Sequence, residues 1–216
     1  MCGISGFINY KSIQDRDLLK RSLDCIIHRG PDDEGMFFTE SVSMGMRRLS
    51  IIDIAAGKQP ISNEDQTVTV VFNGEIYNHL ELRKELENKN HIFKTHSDTE
   101  TLVHGYEEWG IELPKKLRGM FAFSIHDKRK NKLFIARDHF GIKPLYYHLQ
   151  DGKISAFASE IKSILEDKTV KRDVNIDYIY DYVSFQYNPN PETFFKNIFK
   201  LAPGHSLSID LETKVY

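Results

Sequence analysis

The chain is a succession of short runs rich in β-branched and aromatic residues, punctuated by tight-turn dipeptides, and this limits the fold more than any other feature. "GISGFINY" at the start reads as a first strand, which sets Cys2 at a strand's beginning. "SVSMGM", "TVTVVF", "MFAFSIHD", "KLFIARD", "LYYHL" and "KISAFA" continue the series, several of them bounded by Asp-Gly, Asn-Gly or Lys-Asn turn signals. Before residue 173, helical spacing appears in three stretches: Asp15 to His28, about His79 to Asn90, and Ser97 to Trp109. In the last, Leu102, Val103, Tyr106 and Trp109 share a face, and "SDTE" predicts a capping box of Ser97 and Glu100. Many strands in runs with few helices predict an α+β domain whose helices pack outside mainly antiparallel sheets.

At 216 residues and 40% hydrophobic content, the chain can bury one substantial core, or one core plus an extension. Residues 173–216 differ in character: a helical pattern "NIDYIYDYVSF", a proline-rich "YNPNPETFF", then "LAPGHSLSID". This stretch is expected to be a connector, with residues 1–172 forming the domain. The formal charge is −2, from 29 basic and 31 acidic residues, which supplies no basic surface for nucleic acid or an anionic membrane. No basic stretch leads into an apolar run at the N-terminus and no segment reaches membrane-spanning length, so a soluble cytoplasmic protein is expected. Of two cysteines, Cys25 sits in the periodic "DLLKRSLDCIIH" as a buried structural thiol. Cys2 is the unusual one.

Removal of Met1, favoured by the small second residue, leaves Cys2 with its thiol and a free α-amine in one residue. The amine titrates near ~8, close enough to neutrality to take the thiol proton, whereas a lysine amine near ~10 is already protonated. A thiolate attacking a carbonyl needs donors for the oxyanion. In "VVFNGEIYN", Asn73 could supply its side-chain amide and Gly74 a closely approaching backbone N–H. The plainer reading of Asn-Gly after a strand is a type I′ hairpin turn. Arg48 in "MRRLSIID" could grip a carboxylate and Asp98 in "HSDTE" an ammonium, a pair that together selects a zwitterion. Alone, each reads as a solvated arginine and a first-turn helix acid. "HRGPDDEG" reads as a helix stop and turn, and "RDHFGIKPLYY" as a strand, a glycine turn and a satisfied surface network. The nine histidines show no HExxH or clustered Cys/His spacing, so no metal is expected, and no phosphate-binding glycine loop is present.

The segments "MCGISGF", "HRGPDDEG", "RLSIID", "NGEIYN", "SDTE", "GMFAFSIHD", "RDHFGIKPLYY" and "ASEIKSIL", in this order over nearly the whole chain, resemble the glutamine-hydrolysing domain of class II amidotransferases, the N-terminal-nucleophile type, and above all that of the asparagine synthetases. The resemblance implies a four-layer αββα sandwich with two antiparallel sheets between helical layers. It implies Cys2 as nucleophile, Asn73 and Gly74 as oxyanion hole, and Arg48, Leu49, Ser50, Ile51, Ile52, Glu75 and Asp98 as glutamine-binding residues. Arg48 would take the α-carboxylate and Asp98 the α-amine, as the charges alone suggest. The implied activity is hydrolysis of the glutamine side-chain amide through a Cys2 thioester, delivering ammonia to an ATP-dependent amidation of aspartate. Such enzymes continue into a synthetase domain bearing a Ser-Gly-Gly-x-Asp-Ser loop, which is missing here. No cofactor is therefore expected in this chain, ATP and magnesium belonging to the absent domain. The expected partners are glutamine and a synthetase domain or subunit, with a second copy as a homodimer, and neither nucleic acid nor membrane. Two other readings stand beside this one: a glutamine-binding regulatory or docking module with little turnover of its own, and a hydrolase of other amides, which Arg48 and Asp98 disfavour.

Overall fold

The computed structural model describes residues 1–8, 15–49, 57–187, 190–213 and 215–216. The first strand is β1 (Gly3–Ile8), followed by α1 (Asp15–Asp24), β2 (Asp33–Phe38), β3 (Val42–Arg48), β4 (Ile61–Ser62) and β5 (Val68–Ile76). Two helices, α2 (His79–Glu87) and α3 (Asp98–Trp109), and the short α4 (Leu113–Lys116) separate these from β6 (Gly119–Asp127), β7 (Lys132–Arg137), β8 (Tyr146–Gln150) and β9 (Lys153–Ala158). The short α5 (Ile161–Ile164), then α6 (Ile176–Phe185), β10 (Ile198–Lys200) and β11 (Ser206–Asp210) complete the order.

Two sheets result. One runs β10-β8-β9-β1-β3-β2 and the other β11-β7-β6-β5-β4, every pairing being antiparallel. Successive side chains leave a strand on opposite faces, so a strand that is apolar throughout feeds a core on each side of its sheet. In β5, Val68, Val70, Phe72 and Ile76 join a core with Leu102, Val103 and Tyr106 of α3, while Val71 turns the other way, toward Ile4, Met44 and Met46 of the first sheet. A third core sets Leu19 and Leu23 of α1 and Ile164 of α5 against Phe7, Ala156 and Ala158. Three cores between four layers make an αββα sandwich, the architecture implied by the resemblance. Phe7, Phe72, Phe121, Phe123, Phe134 and Phe157 are all fully buried, each contributing ~1.5–3 kcal/mol of apolar transfer. Among the described residues, no helix is long and apolar enough to cross a membrane.

Several local expectations change. The helix expected to reach His28 ends at Asp24, because the Ile26 N–H reaches Leu23 and the chain tightens into a 3₁₀ turn at Ile27–Arg29. "HRGPDDEG" does not remain a turn: from Asp33 it becomes β2, paired with β3 from Asp33↔Arg48 onward. Ser97 caps α3 by accepting from Thr99 N at 3.2 Å, but Glu100 does not close the capping box. Its carboxylate instead takes Lys94 N, Thr95 N and Thr95 Oγ1, at 2.8, 2.7 and 2.7 Å. Asn73 and Gly74 form no hairpin turn; they lie within β5, opposite Ala122 and Phe121 of β6. The stretch expected as a connector contributes an edge strand to each sheet, β10 against β8 and β11 against β7.

Candidate active site

The start of β1, the end of β3, the second half of β5 and the start of α3 converge on one cavity of about 270 Å³. This lies at the small end of the range for small-molecule sites. Cys2, Arg48, Leu49, Asn73, Gly74, Glu75 and Asp98, seven of the residues singled out above, all line it. Ser50, Ile51 and Ile52 lie outside the described residues.

Cys2 is held by its neighbours' main chain. Gly3 pairs with Arg47 in the β1–β3 ladder, so that Leu49, just past β3, brackets the thiol: its N–H points to Sγ at 3.4 Å and its carbonyl lies 3.7 Å away. From the other side Arg29 Nε donates to the Cys2 carbonyl at 3.0 Å, while Nη1 of the same guanidinium pairs with Glu160 at 3.0 Å. "HRGPDDEG" therefore shapes the backbone at Cys2. Met1 lines the cavity at its open end and is 57% exposed.

The facing wall is β5, and strand alternation aims its groups. Phe72 N donates to Gln59 Oε1 at 2.7 Å and Ile76 N to Asp98 Oδ2 at 2.9 Å, both away from β6, whereas Tyr77 N bonds Arg118 on the β6 side. N–H groups two apart leave a strand by the same edge, so the Gly74 N–H points out between Gln59 and Asp98. A Cβ on Gly74 would stand 2.1 Å from the Met120 carbonyl oxygen, which only glycine avoids. Asn73 shares the face of Val71, directed between the sheets. It is fully buried, and neither its Nδ2 nor its Oδ1 has a hydrogen-bond partner. An unsatisfied buried amide costs ~1–3 kcal/mol, which marks it as a group positioned for something other than the protein itself.

Charge is divided across the cavity. Arg48, 5% exposed at the end of β3, stands on one side. Asp98 is the first residue of α3, where the helix's N-terminal dipole favours an anion. Burial nevertheless raises its pKa, and the Ile76 N–H offsets that only in part. An ammonium at Asp98 would restore the ionised form.

Lys143 also lines the cavity, and sequence reasoning missed it. "RDHFGIKPLYY" is no surface network: Arg137, Asp138 and Lys143 are all buried. Asp138 organises the turn by accepting from the N–H groups of Phe121, Phe140, Ile142 and Lys143, at 3.2, 3.1, 2.9 and 2.9 Å. Burial lowers the Lys143 pKa, and the proximity of Cys2 opposes that shift. Gln59, Ser97, Thr99 and Met120 complete much of the lining; of these only Ser97 carried a sequence signal, as a helix cap.

Comparisons with known proteins agree with this geometry. The family described as the glutamine amidotransferase domain matches residues 1–215. Asparagine synthetase (glutamine-hydrolyzing) 1 of Bacillus subtilis (strain 168) is 44% identical over all of this chain and 35% of its own length. The second enzyme of that name from the same strain is 42% identical over 99% of this chain and 29% of its own length. The chain thus spans about a third of the length of these curated relatives. Among solved structures, the allosteric regulatory enzyme of purine biosynthesis superposes with a TM-score of 0.69 at 20% identity, covering 98% of this chain and 47% of that one. Glutamine phosphoribosylpyrophosphate amidotransferase from B. subtilis gives 0.66, also at 20% identity, over 98% and 48%. At that identity the structural likeness speaks for the fold alone, the four-layer αββα sandwich. Sequence match, sandwich and cavity agree: the chain belongs to the class II glutamine amidotransferase domain family.

Proposed function

We propose that this domain hydrolyses the side-chain amide of glutamine to glutamate and ammonia. The observation that carries the reading is the unpartnered Asn73 amide, buried in the cavity that holds Cys2. With Met1 removed, the Cys2 α-amine takes the thiol proton and the thiolate attacks the glutamine carbonyl carbon. Negative charge develops on the carbonyl oxygen, where Asn73 Nδ2 and the Gly74 N–H donate to it. The tetrahedral intermediate collapses, the C–N bond breaks, and the protonated amine gives its proton to the leaving ammonia. Water then cleaves the glutamyl thioester, releasing glutamate and restoring the thiol. Arg48 pairs with the substrate α-carboxylate and Asp98 with its α-ammonium, while Leu49 and Glu75 complete the binding wall.

The whole-protein reaction follows from the relatives' names and is part of the same proposal: ammonia serves an ATP-dependent amidation of aspartate on a synthetase domain or subunit. This chain has no Ser-Gly-Gly-x-Asp-Ser loop, so ATP and magnesium are assigned to that partner and no step here runs through them. Residues 1–172 then carry the glutamine site, and 173–216, whose β10 and β11 complete the two sheets, lead on to the partner, with self-association into a homodimer and a cytoplasmic location.

The test is glutamate release from glutamine by the processed chain, with Cys2→Ala abolishing it. Equal turnover in that variant eliminates the mechanism. Calorimetric binding of glutamine without turnover in the intact protein would favour the docking-module reading instead.

A further inference from the structure

Further along α3 than Asp98 and Thr99, which line the glutamine cavity, three side chains converge that the reaction does not use. His91 lies in the connection after α2; His104 and Glu107 lie one turn apart on α3. One ligand atom from each falls within 4.8 Å of the others. The Nδ1 atoms of His104 and His91 face the same carboxylate oxygen, Glu107 Oε2, at 3.1 and 3.7 Å. For bonds of 2.0–2.2 Å in a tetrahedral shell, neighbouring ligand atoms are separated by about 3.3–3.6 Å, between those two distances.

The surroundings match what orients metal ligands. Glu107 Oε1 accepts from Asn63 Nδ2 at 2.6 Å, which turns Oε2 toward the histidines. Each imidazole has a carboxylate opposite its second nitrogen: Glu100 lies 3.7 Å from His104 Nε2 and Glu108 lies 3.7 Å from His91 Nε2. Glu100 is fixed by three donors, and Glu108 pairs with Lys89. At 3.7 Å these carboxylates are beyond hydrogen-bond reach and act as nearby negative charges that favour a cation at the histidines. Independently, His104 is 1% exposed and its Nε2 has no hydrogen-bond partner, so the ring is under-satisfied as it stands. His91 and Glu107 retain 17% and 15% side-chain exposure, which leaves a route from solvent.

We propose that His91, His104 and Glu107 form a site for a zinc-class divalent cation that clips the α2–α3 connection onto α3. The ion takes the place of the proton shared by His104 Nδ1 and Glu107 Oε2, and a solvent molecule fills the fourth position. Proton and metal therefore compete.

The experiment uses the full chain, stripped with chelator, in a Cys2→Ser background that removes the active-site thiol as a competing ligand. Zn²⁺ is titrated by calorimetry, and Co²⁺ serves as a spectroscopic probe. The expected result is one ion per chain, a rise in Tm on adding Zn²⁺, and a tetrahedral Co²⁺ spectrum without a thiolate charge-transfer band. His91→Gln and Glu107→Gln should each weaken binding at least tenfold. Both positions retain some exposure, and the Glu107→Gln side chain keeps a carbonyl oxygen for the Asn63 contact, so folding should survive; circular dichroism checks it. Absence of stoichiometric binding, affinity unchanged in both variants, or a thiolate band from Cys25 would overturn the proposal.

Discussion

Replacing Asn73 with alanine should separate catalysis from stability. In the folded protein both heteroatoms of this amide are buried and unpartnered. Truncation therefore breaks no intramolecular hydrogen bond and removes a desolvation penalty of ~1–3 kcal/mol. The space it vacates adjoins an existing cavity, so the packing loss is smaller than in a closed core. Unfolding stability is expected to hold steady or rise by up to about 2 kcal/mol. On the proposed mechanism the same amide donates to the oxyanion in the transition state, and loss of one such donor costs ~2.7–4 kcal/mol, a fall of about 10²–10³ in kcat. Gly74 remains as the second donor, so residual turnover should persist. Glutamate release at saturating glutamine gives kcat, and urea titration monitored by fluorescence gives stability. A variant with kcat within about threefold of the parent refutes the oxyanion assignment. A variant that loses several kcal/mol of stability shows that Asn73 is structural.

Gly74→Ala should destabilise the sandwich by ~1–3 kcal/mol or more, measured by denaturant midpoint, because the new Cβ meets the Met120 carbonyl oxygen at 2.1 Å. Asp98 has its pKa raised by burial, so its charge is lost at a higher pH than that of an ordinary carboxyl as acid is added. The KM for glutamine should rise on that acid limb, and Asp98→Asn should raise it at all pH values, by about 30-fold or more. For the metal-free protein, His104 is shifted from 6.5 to about 9 by Glu100 and Glu107 acting against burial. A folded pKa above the unfolded one stabilises fully below pH 6.5, and this contribution drains away as pH rises through about 9. Chemical denaturation across that window should show the decline, and His104→Gln should flatten it. A fixed extension ahead of Met1 should abolish turnover while leaving glutamine binding measurable, since the acylated Cys2 nitrogen has no basicity.

The strands of both sheets were legible wherever β-branched and aromatic residues ran together, as in "TVTVVF" and "MFAFSIHD", because burial on both faces favours near-continuous apolar runs. β2 was not, since Asp33, Glu34 and Gly35 are poor strand formers and join the sheet only by pairing with β3. Asn73 and Gly74 show the same competition: locally they suit a turn, yet pairing with β6 along the whole length of β5 keeps them extended. Arg48 and Asp98 were readable as a complementary pair, but that they face one cavity is a fact of tertiary structure. Lys143 was hidden by its type, because a lysine beside aromatics is ordinarily solvated. His91 and His104 escaped every spacing motif, since a helix connection and not a local repeat brings them together.

β1, which carries the nucleophile's neighbour Gly3, sits in the middle of its sheet between β3 and β9, while β10 and β11, the latest strands in chain order, each cover an edge. On a ribosome the first segment must therefore wait for β9, a partner that begins only at Lys153. Until then β1 can pair on one edge only, with β3. The end of the chain that carries Cys2 is thus seated between two neighbouring strands only after most of the domain has been made.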